Sequence, residues 1–154
     1  MKENFPKGMA LTLKYEGGYV DDPYDPGGAT NAGVTQATYN VFCRHRGRGA
    51  RPVKLMTPDE RDEIYRAQYW DEVDCDALAS GVDVLAFDIA VNSGPGRARA
   101  FLCGAPNEPI ACVHYLDSRR RSFWRGIMTF WRFGRGWMAR ENDLLEHALL
   151  LAQR

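Results

Sequence analysis

Val82-Asp83-Val84-Leu85-Ala86-Phe87-Asp88-Ile89-Ala90-Val91-Asn92-Ser93 decides the fold class. Val82, Val84, Leu85, Ala86, Phe87, Ile89, Ala90 and Val91 leave almost no polar face at helical spacing. A helix that is apolar nearly all round has no side to offer to water, so residues 82–93 are expected as a buried central helix. Asn92-Ser93-Gly94-Pro95-Gly96 ends it with turn and capping chemistry.

Upstream of that run, Thr57-Pro58-Asp59-Glu60 is a strong helix start: Thr caps, Pro occupies the first helical position, and Glu falls where a capping box needs it. This helix is expected to reach about Trp70, with Asp71 to Gly81 mostly irregular. Thr35 can cap another helix through Tyr39 and Phe42, followed by an Arg/Gly-rich loop from Arg44 to Pro52. Phe5, Met9 and Leu13 recur at i, i+4 and i+8 and predict a first helix, ended by Gly17-Gly18. Residues 17–34 read as a loop or hairpin, from Asp21-Asp22-Pro23, Asp25-Pro26-Gly27-Gly28 and Gly33.

Downstream, helices are expected at 96–103, 109–125 and 136–152, with Phe130, Phe133 and Trp137 punctuating the turn before the last. The sum is a mainly α protein: a helical bundle around the central helix, with a small loop or hairpin lobe. A chain of 154 residues is long enough for one domain with a sizeable core, and residues 1–154 are expected to form one. Charge nevertheless divides it. Residues 1–94 hold ten Lys/Arg against fifteen Asp/Glu, and residues 95–154 hold ten against five. That asymmetry suggests a polyanionic or mixed-charge partner.

The remaining inventory narrows the chemistry. Four cysteines without a C-x-x-C pair, and three histidines without H-x-x-x-H, make a zinc site unexpected. Free thiols suit a reducing compartment. No apolar stretch is long enough to span a bilayer, and Met1-Lys2-Glu3-Asn4-Phe5-Pro6 has no apolar core of a signal peptide. Synthesis in the cytoplasm is therefore the expectation, and an outside substrate would then require a release system.

Glu16 is the first candidate for chemistry. At the expected C-terminal end of the first helix it meets the negative pole of the helix dipole, and Tyr15 and Tyr19 can desolvate it. Both effects raise a carboxyl pKa, as a general acid requires. Taken alone, Glu16 reads first as a solvated residue closing a helix. Asp25 reads either as a second functional carboxylate or as turn chemistry beside Pro26-Gly27-Gly28.

The surrounding residues favour the chemical reading. Glu16-Gly17-Gly18-Tyr19, Asp22-Pro23, Asp25-Pro26-Gly27-Gly28-Ala29-Thr30-Asn31 and Gly33-Val34-Thr35 closely resemble the signature of glycoside hydrolase family 108, bacterial and phage N-acetylmuramidases. Ile64-Tyr65-Arg66, Tyr69-Trp70-Asp71, Gly81-Val82-Asp83 and Phe87-Asp88-Ile89-Ala90-Val91-Asn92-Ser93-Gly94 also look like that family. Phe130-Trp131-Arg132-Phe133 and Gly136-Trp137-Met138-Ala139-Arg140 resemble the peptidoglycan-binding region that usually follows. The resemblance implies an α+β lysozyme-like fold whose loop lobe carries the active site, with a catalytic part over 1–94 and a peptidoglycan-binding-like part over 95–154.

It also implies hydrolysis of the β-1,4 bond between N-acetylmuramic acid and N-acetylglucosamine, with Glu16 as the acid and no cofactor or metal. More distant phage lysozymes place Asp after eight residues and Thr after five more. Glu16 and Asp25 keep the first spacing, while Thr30 comes one residue early and Asn31 holds the Thr position. Asp25 is thus expected to stabilise the cationic centre or position water, and Thr30 to hold that water. Tyr19, Asn31 and Asn92 are the expected sugar contacts. Asn92 lies in Ala90-Val91-Asn92-Ser93-Gly94, similar to an Ala-aromatic-Asn-x-Gly run of lysozyme-like folds, with Val91 in place of the aromatic. Asn92 also suits a helix C-cap.

Three readings remain open for the basic, aromatic third around Arg119-Arg120-Arg121-Ser122-Phe123-Trp124-Arg125 and Trp131-Arg132-Phe133. Phe123, Ile127, Phe130, Phe133 and Trp137 can fill core while Arg lines the solvent face. The rings can stack on wall sugars, or the segment can bind nucleic acid. A net charge of zero speaks against nucleic acid as a partner. The expected picture is a monomeric, endolysin-like enzyme acting on peptidoglycan after release by a holin or another system. A lytic transglycosylase and a non-catalytic wall- or nucleic-acid-binding module are the alternatives.

Overall fold

The computed structural model describes residues 1–15, 17–21 and 28–153. In chain order its elements are α1 (Phe5–Leu13), a hairpin of β1 (Thr30–Asn31) and β2 (Val34–Thr35), α2 (Gln36–His45), α3 (Pro58–Tyr65), α4 (Val82–Ser93), α5 (Pro95–Leu102), α6 (Pro109–Arg125) and α7 (Phe130–Ala152). The apolar run is α4, and Val82 to Ala90 are all buried. Around it stand α1, α5, α6 and α7, so the protein is mainly α with a lysozyme-like character and a small antiparallel hairpin.

Local sequence signals account for most element starts. Thr35 accepts a hydrogen bond from the Thr38 amide at the head of α2. Thr57 and Glu60 form the complete capping box that opens α3. A π turn (Arg66–Trp70) prolongs α3, and the stretch before α4 contains two short 3-10 turns, Asp71–Val73 and Cys75–Ala77. Trp70 is fully buried, with its indole N–H donating to Asp76 Oδ1 at 2.8 Å. Phe5, Trp70 and Phe87 pack edge to face or tilted, with centroids 5.3–5.8 Å apart, and tie α1 and the π turn to α4.

The start of α4 depends on one glycine. Gly81 has φ +85°, and a Cβ there would sit 2.2 Å from the carbonyl oxygen of Ala148. Its missing side chain lets α7 run directly against the entry to α4.

Two boundaries differ from expectation. α1 stops at Leu13, before the glycine pair, and Lys14 and Tyr15 turn toward Asp143 on α7 instead. α7 begins at Phe130 rather than 136, so Phe130, Phe133 and Trp137 are helical residues. Gly134 explains how: a Cβ there would lie 2.7 Å from the Phe130 ring, so glycine makes room for that ring against its own helix. The favourable ring packing outweighs the roughly 1 kcal/mol cost of a helical glycine.

Candidate active site

Asp88 is the organising residue beneath the site. It is a carboxylate at 0% exposure in an otherwise apolar helix, and burial alone would raise its pKa. The guanidinium groups of Arg120 and Arg140 overcome that penalty and hold the carboxyl below its ordinary range. Arg120 Nη2 donates to Oδ2 at 2.6 Å, and Arg140 Nη2 donates to Oδ1 at 2.5 Å. Thr12 Oγ1 adds a 2.9 Å bond to Oδ1. One carboxylate therefore fastens the end of α1, the middle of α4, and one position each on α6 and α7.

Arg120 also lies 2.9 Å from Glu141, which is itself fully buried. The contact lacks hydrogen-bond alignment, and Arg120 spends its better-directed bond on Asp88. Burial therefore dominates, and the Glu141 carboxyl is pushed up to about 7.

Above this network lies a cavity of about 500 Å³. Tyr15 enters it from the end of α1, Asn92 and Ser93 from the end of α4, Phe123, Trp124 and Ile127 from the α6 end, and Gly136, Trp137 and Arg140 from α7. The Tyr15 hydroxyl donates to Asp143 Oδ2 at 2.7 Å, and Lys14 Nζ meets the same oxygen at 2.8 Å. The Arg140 guanidinium stands 5.1 Å from the Tyr15 ring centroid, and that of Arg120 stands 4.3 Å from the Trp124 centroid. Trp124 and Trp137 face each other across 5.7 Å. Such a volume suits a small ligand, and paired indoles beside amide and guanidinium groups suit the flat faces and polar edges of a sugar.

The expected site residues are distributed unevenly. Glu16 and Asp25 lie outside the described residues. Asn92 borders the cavity, and its Nδ2 donates to the Asp88 carbonyl oxygen at 3.0 Å, which orients the amide. Thr30 pairs with Val20 through two 2.8 Å backbone bonds, and its hydroxyl is 3.4 Å from the Gly28 carbonyl. Asn31 Nδ2 donates to the Val53 carbonyl at 3.1 Å, and the residue borders a separate cleft of about 210 Å³ beside Met56 and Arg61. Tyr19 is exposed and bonds to Asp21 Oδ2 at 3.0 Å. Of the expected sugar contacts, only Asn92 reaches the larger cavity.

The structure also corrects the reading of the basic third. Phe123 is half-buried and packs against the core, whereas Ile127, Phe130 and Trp137 are half-buried outside it and Phe133 is exposed. Arg120 does not face solvent; it has 0% exposure. Two sequence signals could have exposed this. Asp88 sits inside the apolar run and needs a buried cation, and Leu116, Arg120 and Trp124 recur at i, i+4 and i+8 on the inner stripe of α6.

The family model described as Glycosyl hydrolase 108 matches residues 9–94. A solved structure, that of SagA from Brucella abortus, is similar at a TM-score of 0.79 and 33% sequence identity, covering 100% of this chain and 98% of that one. No curated protein matches the sequence significantly. The matched segment contains Tyr15, Asn92 and Ser93, whereas Trp124, Trp137 and Arg140 lie beyond it, so both parts of the chain build the cavity.

Proposed function

Because the chain belongs to the glycosyl hydrolase 108 family, and is therefore a glycoside hydrolase acting on cell-wall glycan, we propose that it is a muramidase. In this reading it cleaves the β-1,4 bond between N-acetylmuramic acid and N-acetylglucosamine. Glu16 protonates the leaving oxygen, and Asp25 stabilises the oxocarbenium-like centre or positions water, with Thr30 as an auxiliary. Release through a holin or another system brings the enzyme to the wall, where it acts as a monomer.

The observation that carries the reading is the cavity that begins at Tyr15, the residue before Glu16. The half-buried Trp137 indole offers a stacking surface for a pyranose ring, backed by the buried Trp124. Asn92 spends its N–H on the Asp88 carbonyl, and Oδ1 has no partner among the described residues. That oxygen is left to accept the N–H of an acetamido group, which both wall sugars carry. Arg140 borders the same cavity with its guanidinium held by Asp88.

The test is Glu16→Gln on purified sacculi. Loss of a general acid should lower the cleavage rate about 10²- to 10⁴-fold. Clearing at the wild-type rate would overturn the assignment. Mass spectrometry of wild-type products separates hydrolysis, which leaves reducing ends, from transglycosylation, which leaves 1,6-anhydro ends.

A further inference from the structure

The turn between α6 and α7 and the outer face of α7 carry a feature the glycosidase chemistry does not use. Met128, in the turn before α7, is 91% exposed, and Trp131, in the first turn of α7, is 84% exposed. Exposed apolar side chains of this size are costly in water and mark contact surfaces. Residues 118–140 contain seven arginines and no acidic residue. Arg120 and Arg140 are committed to Asp88, and Arg121 to Asp117. Arg125, Arg132 and Arg135 are exposed and have no ion pair among the described residues.

We infer that this knob docks on an anionic phospholipid surface, with Met128 and Trp131 entering the headgroup boundary and Arg125, Arg132 and Arg135 meeting lipid phosphates. Trp131 borders a shallow cleft with Phe130, Arg135 and Met138, and Met128 stands outside it. Two observations select a bilayer over a glycan strand. Met128 has no flat face for a pyranose, but a flexible thioether suits a disordered acyl boundary. Trp131 and Arg140 are nine residues apart on one helix, about two and a half turns, so Trp131 points away from the cavity that Arg140 borders. The protein can therefore rest on a membrane with its cavity open toward the wall. The charge pattern adds the anionic requirement, since an indole with flanking cations is the usual composition of an interfacial anchor. The contact is lateral; no described helix is long and apolar enough to cross a membrane. It does not rest on the proposed glycosidase reaction, and its readout is binding.

The experiment is sedimentation of the full chain with phosphatidylcholine vesicles, with and without phosphatidylglycerol, at low and high salt. The expected result is salt-sensitive binding to the phosphatidylglycerol vesicles only, with a blue shift of tryptophan emission. The double variant Met128→Ser/Trp131→Ser should bind them about tenfold or more weakly, while its cleavage of soluble glycan fragments and its circular dichroism stay unchanged. Arg132→Glu/Arg135→Glu, which leaves the apolar knob intact, should lose the preference for phosphatidylglycerol and gives the same reading should the serine variant unfold. Equal binding to both vesicle types, no vesicle binding, or vesicle binding unaltered by the variants would overturn the inference. So would variants that weaken sacculus binding alone, which would make the knob a wall surface.

Discussion

Asp88 and Arg120 meet at 2.6 Å with both side chains fully excluded from solvent, 32 residues apart in sequence. The pair joins the centre of the bundle to α6, and through Arg140 and Thr12 it also fixes α7 and α1. Breaking one member of a buried ion pair leaves an uncompensated charge, at a cost of about 3–5 kcal/mol. Asp88→Asn keeps the shape and removes the charge, so chemical denaturation should show a loss of that order. A midpoint equal to wild type would mean that the arginines relax to water and that the network does not hold the helices.

Tyr15 should matter more for rate than for stability. Its hydroxyl bond to Asp143 is a surface contact, and the ring is 36% exposed, so Tyr15→Phe should shift the melting temperature little. The bond nevertheless anchors the chain one residue before Glu16. Under the proposed role of Glu16 as the acid, sacculus cleavage should fall about tenfold through its misplacement, with the fall in kcat rather than KM. A variant with wild-type kcat would show that the anchor is dispensable.

Glu141 predicts an unusual pH dependence. Its carboxyl titrates near 4.5 when unfolded and is pushed up to about 7 in the fold, first by burial. Between those values the folded state holds a proton that the unfolded state lacks. Its stabilising contribution is therefore complete below 4.5 and is lost as pH rises through about 7. The total is on the order of 3 kcal/mol. Asp88 acts oppositely: its depressed carboxyl supports the fold until acid protonates it, below the ordinary carboxylate range. Stability should thus peak in mild acid. Denaturation midpoints measured from about pH 5 to pH 8 should fall for wild type and stay nearly flat for Glu141→Gln; parallel profiles would remove Glu141 as the cause.

Gly81→Ala tests the close approach of α7 to α4. The substitution forces a Cβ into the Ala148 carbonyl oxygen at a positive φ, so it should cost more than the roughly 1–3 kcal/mol of backbone strain alone. Gly96→Ala is the internal control. A Cβ there meets nothing within 4 Å, and it should be neutral or stabilising by up to about 1 kcal/mol. Thermal midpoints of the two variants should differ in sign or clearly in size.

The sequence by itself determined what depends on neighbours along the chain. The Thr57–Glu60 capping box, the Thr35 cap and the 82–93 helix are local: each needs residues within a few positions, and each is found as read. The family signature is a local pattern too, and its spacing names Glu16, Asp25 and Thr30 as candidates. Tertiary structure decided the rest. Whether Asn31 or Asn92 reaches the cavity depends on where the hairpin and the end of α4 lie in space, and Asn31 is drawn to Val53 instead. The role of Arg120 was hidden because an arginine within a run of three reads as a solvated face until a carboxylate is brought to it. Asp88 lies 32 residues from Arg120 and 52 from Arg140, and Tyr15 lies 128 from Asp143. Ion pairs and cavities between distant helices are set by how α1, α4, α6 and α7 pack together, which no local spacing encodes.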